Sequence, residues 1–386
     1  MVIGSIVVGT WALLVANGFM NGFMVGYVEE VIAYDVSNLQ IHHPEFKTDF
    51  ELKYAIPDGI SKIEEIAHWD GIEAVTARSL VNGMIASPKK ASGVQIRGID
   101  IESEGRVTNL DSIVSVGTYF EGINRNPIIL GEKLARNLNV KERSKVVLTF
   151  NDANGNITSA AFRVVGIVKS SSININEMYV FVRRQELNKL LGLDNHVHEI
   201  AILTQPRVSA EGIVNKYKGE YPDDLVETWK EVAPELSFMQ EMYGSMLYVL
   251  MGIILTALIF GIVNTMLMAV LERIKELGML MAVGMNKIKI FSMILVETLF
   301  LGIVASPIGL LVGHLTIRYY STVGVDLSNY SEGLEEFGYS SILYPYIDTD
   351  VYFIVTIGVV ITALIAAIYP ALKAVRLKPV EALHKI

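Results

Sequence analysis

Four long apolar runs constrain the fold of this chain more than any other feature of its sequence. They cover residues 1–28, 244–271, 291–319 and 351–371. A helix of about 20 predominantly apolar residues is long enough to cross the hydrocarbon core of a bilayer, so each run predicts a transmembrane helix. Residues 29–243 contain no such stretch. The sequence therefore predicts four membrane spans and one large water-soluble domain.

The composition agrees with this mixture, because 51% of the 386 residues are hydrophobic while 19% are charged. The net charge of −9 gives no electrostatic support to a nucleic-acid-binding function. The absence of cysteine excludes disulfides, thiolate chemistry, zinc–sulfur sites and a lipidated N-terminal cysteine. Neither a phosphate-binding GxxxxGK(S/T) loop nor a GxSxG nucleophile motif occurs, so we expect no enzyme activity, catalytic residue or bound cofactor in this chain.

Residues 29–243 are predicted to form an α+β domain, because a strand–helix–strand pattern occurs in them twice. The first copy runs from about Val36 to Val81, and the second from about Val197 to Val232. Two such units around an insertion are typical of a split ferredoxin-like layer of helices on a sheet. The insertion, about residues 93–193, is rich in strands. Within it, Asn154-Gly155 predicts a tight two-residue turn in a compact hairpin at residues 151–157.

The basic residues predict the orientation in the membrane. The connector 272–290 and the tail 372–386 each carry four Lys or Arg residues, whereas the loop 320–350 carries none and is acidic. Cytoplasmic loops are enriched in Lys and Arg. We therefore expect the connector, the tail and both termini on the cytoplasmic side of the inner (plasma) membrane, with the large domain and the loop 320–350 outside.

The first apolar run ends in a short repeat, NGFMNGFMVG, that predicts helix packing. Gly18, Gly22 and Gly26 recur every four residues, a spacing that lets another helix approach closely. Asn17 and Asn21 lie on the adjoining face and could hydrogen-bond across the contact. The alternative is that the glycines are there by chance, since small residues are common in membrane spans.

The connector after the second run has two faces. Glu272 with Lys275, and Arg273 with Glu276, are three residues apart and could pair on one face of a helix. Apolar residues fall at helical spacing on another face, and Gly284 followed by Asn286 is typical of a helix end and a new N-cap. The set on the apolar face is Ile274, Leu277, Gly278, Met281 and Met285. The pattern favours a short amphipathic helix at a membrane surface, and the alternative is an ordinary cytoplasmic connector.

The pattern ERxKExGxxxAxG after a span resembles the coupling helix of the MacB/FtsX superfamily of ABC transporter permeases. The matching positions are Glu272, Arg273, Lys275, Glu276, Gly278, Ala282 and Gly284. The segment YPALKAVRLKPVEAL, residues 369–383, is similar to the closing motif of that family. GVQIRGID, IILGEKLARNLNV and FRVVGIVKSS with MYVFV resemble the exported domain of lipoprotein-releasing (LolC/LolE-type) permeases.

This resemblance implies a permease subunit without ATPase activity. ATP and Mg would be bound by a separate ABC ATPase dimer that docks on the coupling helix. Motion of the spans would then reach the exported domain and release lipoprotein cargo. Four spans per chain imply a dimer with a second copy or a related permease. The family has a short basic segment before its first span, so the resemblance also implies a late start codon or an abbreviated chain.

The sequence departs from LolC-type subunits at one hairpin. In those subunits a long hook receives a periplasmic lipoprotein chaperone, whereas here the connection is only NDANGNI. The hairpin is therefore expected to make no partner contact, which favours a LolE-like or more general role. We expect cargo instead at Tyr27, Phe238 and Tyr243, near the outer ends of the first two spans. The alternatives are a MacB-type efflux permease, an FtsX-like regulator of an extracellular partner, and a membrane-anchored sensor or adhesin.

Two further polar features of the sequence are candidate functional sites. His196–Glu199, HVHE, alternates potential metal donors but lacks a third ligand at a suitable spacing, so a solvated strand face is expected there and no metal site. Glu297 is the one acidic residue inside an apolar run. An acid within a membrane is functional by default, but this one lies close enough to the end of its run to reach the interface.

Overall fold

The computed structural model describes residues 2–122, 125–170, 172–193, 196–205, 208, 210–330, 333–334 and 342–376. The closing motif from residue 377 onward, and with it most of the tail 372–386, lies outside these residues. The described chain divides into a helical unit, formed by residues up to 26, 240–330 and 342–376, and an α/β unit, residues 27–239.

The elements up to the middle of the chain are α1 Val2–Val31 with a π-helical turn Ile32–Val36, β1 Leu39–His42, α2 Phe46–Asp49, α3 Gly59–Ile66, β2 Ile72–Ala86, β3 Ala91–Ile99, α4 Ile101–Thr108, β4 Val114–Gly117, β5 Pro127–Gly131, α5 Glu132–Leu138, β6 Lys145–Asn151, β7 Ile157–Val168, α6 Ile173–Glu177, β8 Tyr179–Arg183 and α7 Arg184–Leu191. They are followed by β9 Glu199–Thr204, α8 Ala210–Glu220, β10 Leu225–Thr228, α9 Trp229–Val232, α10 Pro234–Glu272, α11 Ile274–Ala282, α12 Lys287–Val323, β11 Val325–Asp326, a 3₁₀ turn Ser328–Tyr330, β12 Ile342–Leu343 and α13 Thr349–Val375.

Within the described part of the chain, four helices are long and apolar enough to cross a membrane: α1 with its π-helical turn, α10, α12 and α13. Each overlaps one of the predicted runs and extends beyond it. The largest extension is in α10, which begins at Pro234 instead of residue 244 and has 39 residues. At 1.5 Å per residue α10 is about 58 Å long, well over the roughly 30 Å of a bilayer core. Part of α10 must therefore lie outside the hydrocarbon.

The α/β unit contains the predicted split ferredoxin-like layer. Its sheet has the order β10-β1-β9-β2, and all its pairs are antiparallel. The helices α3 and α8 cover one face, where Ile66 and Tyr217 are fully buried against Ile41 and Ile200. The prediction from the repeated strand–helix–strand pattern is thus confirmed. β-branched residues such as Val75, Ile200 and Val226 suit the pleated strands, and the helices form because their apolar residues recur on one face.

The strand-rich insertion is a closed six-stranded barrel. Its strands pair in the ring β2-β3-β8-β5-β7-β6 and back to β2. Closure removes the free strand edges that an open sheet would expose. β2 belongs to both sheets, because residues 72–78 pair with β9 and residues 79–86 pair with β3. The barrel therefore begins before residue 93, where the insertion was expected to start.

The hairpin of β6 and β7 is compact, as predicted, but its turn is longer than two residues. The strands pair up to Asn151 and Ile157, which leaves the five-residue loop 152–156. The Asp152 carboxylate accepts hydrogen bonds from the backbone N–H groups of Asn154 (2.9 Å) and Asn156 (2.8 Å). An aspartate side chain that accepts hydrogen bonds from two backbone N–H groups stabilises this wider loop. The prediction of a tight two-residue Asn-Gly turn was therefore wrong.

Candidate functional site

The connector forms the helix α11, and its apolar face is buried as the sequence predicts. Ile274, Leu277 and Gly278 are buried in the helical unit, and Met281 and Met285 pack against the same core. The spacing of these residues places them on one side of the helix. Burial of this face holds α11 against the bundle and leaves the opposite face to solvent or to a partner.

The boundary between α11 and α12 is also formed as predicted. Gly284 has a φ of +101°, a conformation that glycine adopts without strain. The N–H of Met285 donates to the carbonyl of Leu280 (3.0 Å), and the N–H of Gly284 donates to that of Met281 (3.1 Å). These two bonds form a Schellman motif, a common helix C-terminus. The Asn286 side chain then accepts from the N–H of Ile288 (3.1 Å) and caps α12.

The charged residues of α11 pair differently from the prediction. Arg273 forms an ion pair with Glu297 of α12 (Nη1–Oε1, 2.8 Å) rather than with Glu276. Among the described residues, Glu272, Lys275 and Glu276 make no ion pair, and all three are exposed. Glu297 is therefore an anchor for the connector helix and is not isolated within its span.

The exposed side of α11 combines charge with apolar surface. Ala282 and Gly284 are exposed, and so are Met279 and Val283, the latter 85% exposed. Gly278 of the motif lies instead on the buried face. An exposed apolar patch rimmed by charges is typical of a protein–protein interaction site.

The glycines of the first span have different neighbours from those expected. A Cβ at Gly18 would lie 3.0 Å from the Ile317 side chain of α12, as in a helix–helix contact. A Cβ at Gly22 would lie 2.5 Å from the carbonyl oxygen of Tyr344, which belongs to an extended segment and not to a helix. Gly26 has no described atom within 4 Å of that position. The repeat therefore packs partly against a loop of the same chain.

The two asparagines beside these glycines differ in their surroundings. Asn21 donates to the Asp348 carboxylate (3.4 Å) just before α13. Asn17 is buried, and its Oδ1 accepts no hydrogen bond from any residue that the structure describes. Asn21 thus bonds to the residue that precedes α13 and not to a residue within a neighbouring helix, so the prediction of a hydrogen bond across a helix–helix contact was wrong for Asn21.

A second close contact in the helical unit was missed by the sequence analysis. Gly309 and Gly313 of α12 face α1, where added Cβ atoms would lie 2.6 Å from the Cβ of Thr10 and 2.8 Å from Cδ1 of Leu14. The GLLVG spacing could have identified it, since it is the same small-xxx-small pattern. This pair allows α1 and α12 to pack closely.

A buried charge cluster lies where β2 passes from the sheet to the barrel. Arg78 is 1% exposed and binds the Glu104 carboxylate of α4 (Nη2–Oε1, 2.7 Å) and the Glu199 carboxylate of β9 (Nη1–Oε1, 2.5 Å). Arg97 of β3 pairs with Asp35 (3.3 Å), and His42 of β1 approaches Glu199 (3.3 Å).

These charges join the sheet, the barrel and the π-helical turn after α1. Burial alone would raise the pKa of Glu199, but the charge of Arg78 outweighs burial and holds that pKa far below its usual range. The sequence signal for this cluster was a charged residue, Arg78, in the middle of the strand β2.

The HVHE segment was wrongly expected to be a solvated strand face. His198 is fully buried, and Glu199 belongs to the charge cluster. The backbone N–H of Leu80 donates to Nδ1 of His198 (3.2 Å), so the proton must lie on Nε2, which donates to the carbonyl of Leu52 (3.2 Å). Among the described residues, no group of three or more potential ligands could hold a metal ion.

His198 should make the stability of the α/β unit depend on pH. Burial lowers its pKa from 6.5 to about 4. A lowered histidine pKa contributes stability that is complete above the unfolded value of 6.5 and is lost as the pH falls towards 4. Protonation of Nδ1 would leave the Leu80 N–H unpaired, at a cost of about 1–3 kcal/mol.

Unfolding by denaturant between these pH values tests this prediction. The wild type should lose stability as the pH falls, and the His198→Gln variant should show a flatter dependence. The exposed His68 gives the matched control, since His68→Gln should leave the wild-type dependence unchanged. Equal pH dependence in wild type and His198→Gln would contradict the prediction.

The three residues expected to meet cargo lie in different environments. Tyr27 is half-buried and lines a pocket of the α/β unit. Phe238 is exposed in the first turns of α10, and Tyr243 is half-buried in the next turn. The structure contains no cargo, so this assignment stays a prediction.

Two family models match the chain. The MacB-like periplasmic core domain matches residues 1–218, and the FtsX-like permease C-terminal domain matches residues 248–379. The chain belongs to the MacB/FtsX superfamily of ABC transporter permeases. The first of these matches contains α1 and most of the α/β unit, and the second contains α11 between its spans. The permease resemblance seen in the sequence is thus confirmed.

Curated relatives place this permease with the LolC/LolE and MacB types. It is 24% identical to the lipoprotein-releasing system transmembrane protein LolC of Neisseria meningitidis over 404 aligned residues, covering 99% of this chain and 92% of LolC. It is 25% identical to the macrolide export ATP-binding/permease protein MacB of Campylobacter jejuni, covering 84% of this chain and 49% of MacB.

Among solved structures, the periplasmic region of MacB from Actinobacillus actinomycetemcomitans matches with a TM-score of 0.38 and 14% identity, covering 55% of this chain and 97% of that one. The relatives and the four apolar helices indicate an inner-membrane protein with a periplasmic domain.

Proposed function

We propose that this permease transmits ATP-driven motion from a separate ATPase to its periplasmic domain and thereby releases lipoproteins from the inner membrane. The observation that carries the proposal is the two-faced helix α11. Its apolar face is packed into the helical unit, while Glu272, Lys275 and Glu276 are exposed beside Met279 and Val283. The lipoprotein cargo rests on the similarity to LolC over almost the whole chain.

The proposal implies a particular arrangement in the membrane. We place α11 and both termini in the cytoplasm, because the connector carries four basic residues and the loop 320–350 none. The ATPase dimer holds ATP and Mg on the cytoplasmic side, and this chain holds no cofactor. A second copy or a related permease completes the transporter, since four spans form only half of such an assembly.

The spans suit the transmission of motion better than a solute pathway. A solute pathway through the spans would be lined by polar side chains, because polar groups within a membrane usually mark such a pathway. Here Glu297 is paired with Arg273 of the connector, and Asn21 with Asp348 near the start of α13. A push on α11 would therefore reach α12 directly, through both the ion pair and the buried apolar face.

A MacB-type efflux permease is the second candidate. The loop 152–156 is much shorter than the hook of LolC-type subunits, and MacB relatives also align with most of this chain. An FtsX-like regulator of an extracellular partner is a third possibility within the same family. All three share the coupling at α11 and differ in what the periplasmic domain moves.

Reversing the charge of Glu276 tests the coupling. In proteoliposomes with the ATPase that co-purifies with the chain, Glu276→Lys should slow lipoprotein release at least about tenfold, because reversing a charge in an interfacial pair removes about 1.5 kcal/mol or more. The thermal unfolding midpoint should not change, since Glu276 is exposed.

Glu211→Lys, an exposed reversal in α8, is the matched control and should release cargo normally. Normal release by Glu276→Lys would overturn the coupling role of α11. A third outcome separates the two parts of the proposal. If Glu276→Lys uncouples ATP hydrolysis from motion of the periplasmic domain but the wild type releases no lipoprotein, the coupling role of α11 is supported and the assignment of lipoprotein as cargo is wrong.

A further inference from the structure

A pocket of about 370 Å³ opens in the α/β unit beside the charge cluster. The last turns of α1 and the first turns of α10 form its apolar wall, with Tyr27, Val31, Leu236 and Met239. Its volume is near the lower end of the range for ligand pockets, about 300–1,000 Å³. It can hold a polar head group and the upper part of one apolar chain.

The floor of the pocket offers hydrogen-bond donors that the protein does not use. The Arg97 side chain is 7% exposed, and its guanidinium carbon lies 3.5 Å from the ring centroid of Tyr179. Its Nε donates to Gln95 (3.0 Å), and its Nη1 is 3.3 Å from Asp35 Oδ1. Apart from this ion pair, the Nη atoms make no hydrogen bond to any described residue, so their remaining N–H donors can bind a phosphate or ester oxygen.

The three carboxylates that line the pocket differ in whether they have an ion-pair partner. Asp35 accepts a hydrogen bond from Ser172 Oγ (2.9 Å) and pairs with Arg97, while Glu199 is held by Arg78. Glu235, at the exposed start of α10, makes no ion pair among the described residues. The lining thus has three carboxylates against one guanidinium. This balance disfavours a ligand of net negative charge and favours one that brings its own cation to the rim.

We propose that this pocket binds a zwitterionic phospholipid. Its phosphate or ester oxygens accept from Arg97, its ammonium pairs with Glu235, and one acyl chain lies along the apolar wall. Among amphiphiles, a membrane lipid is favoured by the position of the apolar wall. The wall consists of the ends of two candidate membrane spans, and α10 is much longer than a bilayer core. This site is separate from the coupling face of α11 and does not depend on which cargo the permease releases.

Binding of short-chain lipids to the full-length protein in detergent micelles tests the proposal. Dioctanoyl phosphatidylethanolamine should bind saturably, as measured by native mass spectrometry and calorimetry. Dioctanoyl phosphatidylglycerol, which has the same chains but a net negative charge, should bind about tenfold more weakly or not at all. Free phosphoethanolamine, which lacks chains, should compete poorly.

Two variants that leave the buried cluster intact locate the site. Glu235→Gln should weaken phosphatidylethanolamine binding about tenfold, while the matched Glu241→Gln, outside the pocket, should not. Ile173→Trp fills the pocket from an exposed lining position and should abolish binding, whereas Val116→Trp, at a similarly exposed site outside it, should not.

Equal binding of the two lipids, or binding that survives both Glu235→Gln and Ile173→Trp, would overturn the proposal. Competition by free phosphoethanolamine at the affinity of the lipid would do so as well, because the apolar wall would then play no part.

Discussion

Replacing Arg78 with alanine is expected to destabilise the α/β unit by about 3–5 kcal/mol. Arg78 is 1% exposed and neutralises two buried carboxylates, Glu104 and Glu199. Removal of one member of a buried ionic group leaves the remaining charges without a partner in a medium of low polarity. The decrease in the free energy of unfolding should be several-fold larger than the decrease on breaking an ordinary surface ion pair.

The pH dependence identifies the cause of this loss. Without Arg78, burial would raise the pKa of Glu199. A raised carboxylate pKa gives stability that is present at low pH and lost as the pH rises through the folded value. The destabilisation of Arg78→Ala should therefore be larger at about pH 8 than at about pH 5.

Denaturant unfolding of the full-length protein in detergent measures both effects. Arg136→Ala is the control, since Arg136 is 70% exposed in an ion pair with Glu132 and should cost under about 1 kcal/mol. Arg78→Met keeps the volume but not the charge and should resemble Arg78→Ala. If Arg78→Ala were no more costly than Arg136→Ala, the cluster would not hold the sheet and barrel together.

Replacing Gly309 with leucine is expected to disrupt the packing of α1 on α12. An added Cβ would lie 2.6 Å from the Cβ of Thr10 and 2.9 Å from the carbonyl oxygen of Val7. Overpacking costs about 1–3 kcal/mol where side chains can adjust, and here the backbone of α1 is in the way. We expect a cost of at least about 3 kcal/mol, at the upper end of that range.

A graded series of leucine variants tests this contact by thermal unfolding in detergent. Gly313→Leu should cost less than Gly309→Leu, because its neighbour is the flexible Leu14 side chain. Gly261→Leu is the matched control in α10, with no described atom within 4 Å of the added Cβ. Equal midpoints for Gly309→Leu and Gly261→Leu would show that α1 and α12 do not depend on the close approach.

Features with a local period could be predicted from the sequence alone. The four spans follow from unbroken apolar runs, and the two faces of α11 follow from apolar residues at helical spacing. The helix end at Gly284 and the cap at Asn286 are likewise encoded within a few residues. The ferredoxin-like order was predictable because its strand–helix–strand pattern occurs twice. In each case, the pattern that predicts the element lies in residues that are close together in the chain.

The tertiary structure alone decided which residues meet across the chain. Gly18 and Gly22 carry a helix-packing pattern, but their neighbours, Ile317 and Tyr344, are about 300 residues away and only one belongs to a helix. Arg78 and Glu199 are likewise separated by 121 positions, and their pairing follows from the register of β2 on β9.

The same holds for the closure of the barrel and the burial of His198. Each depends on strands that pair across long stretches of chain, and the sequence of one strand does not specify its partner. The residue types were therefore visible in the sequence. Their surroundings, which set burial, charge pairing and pKa, came only with the fold.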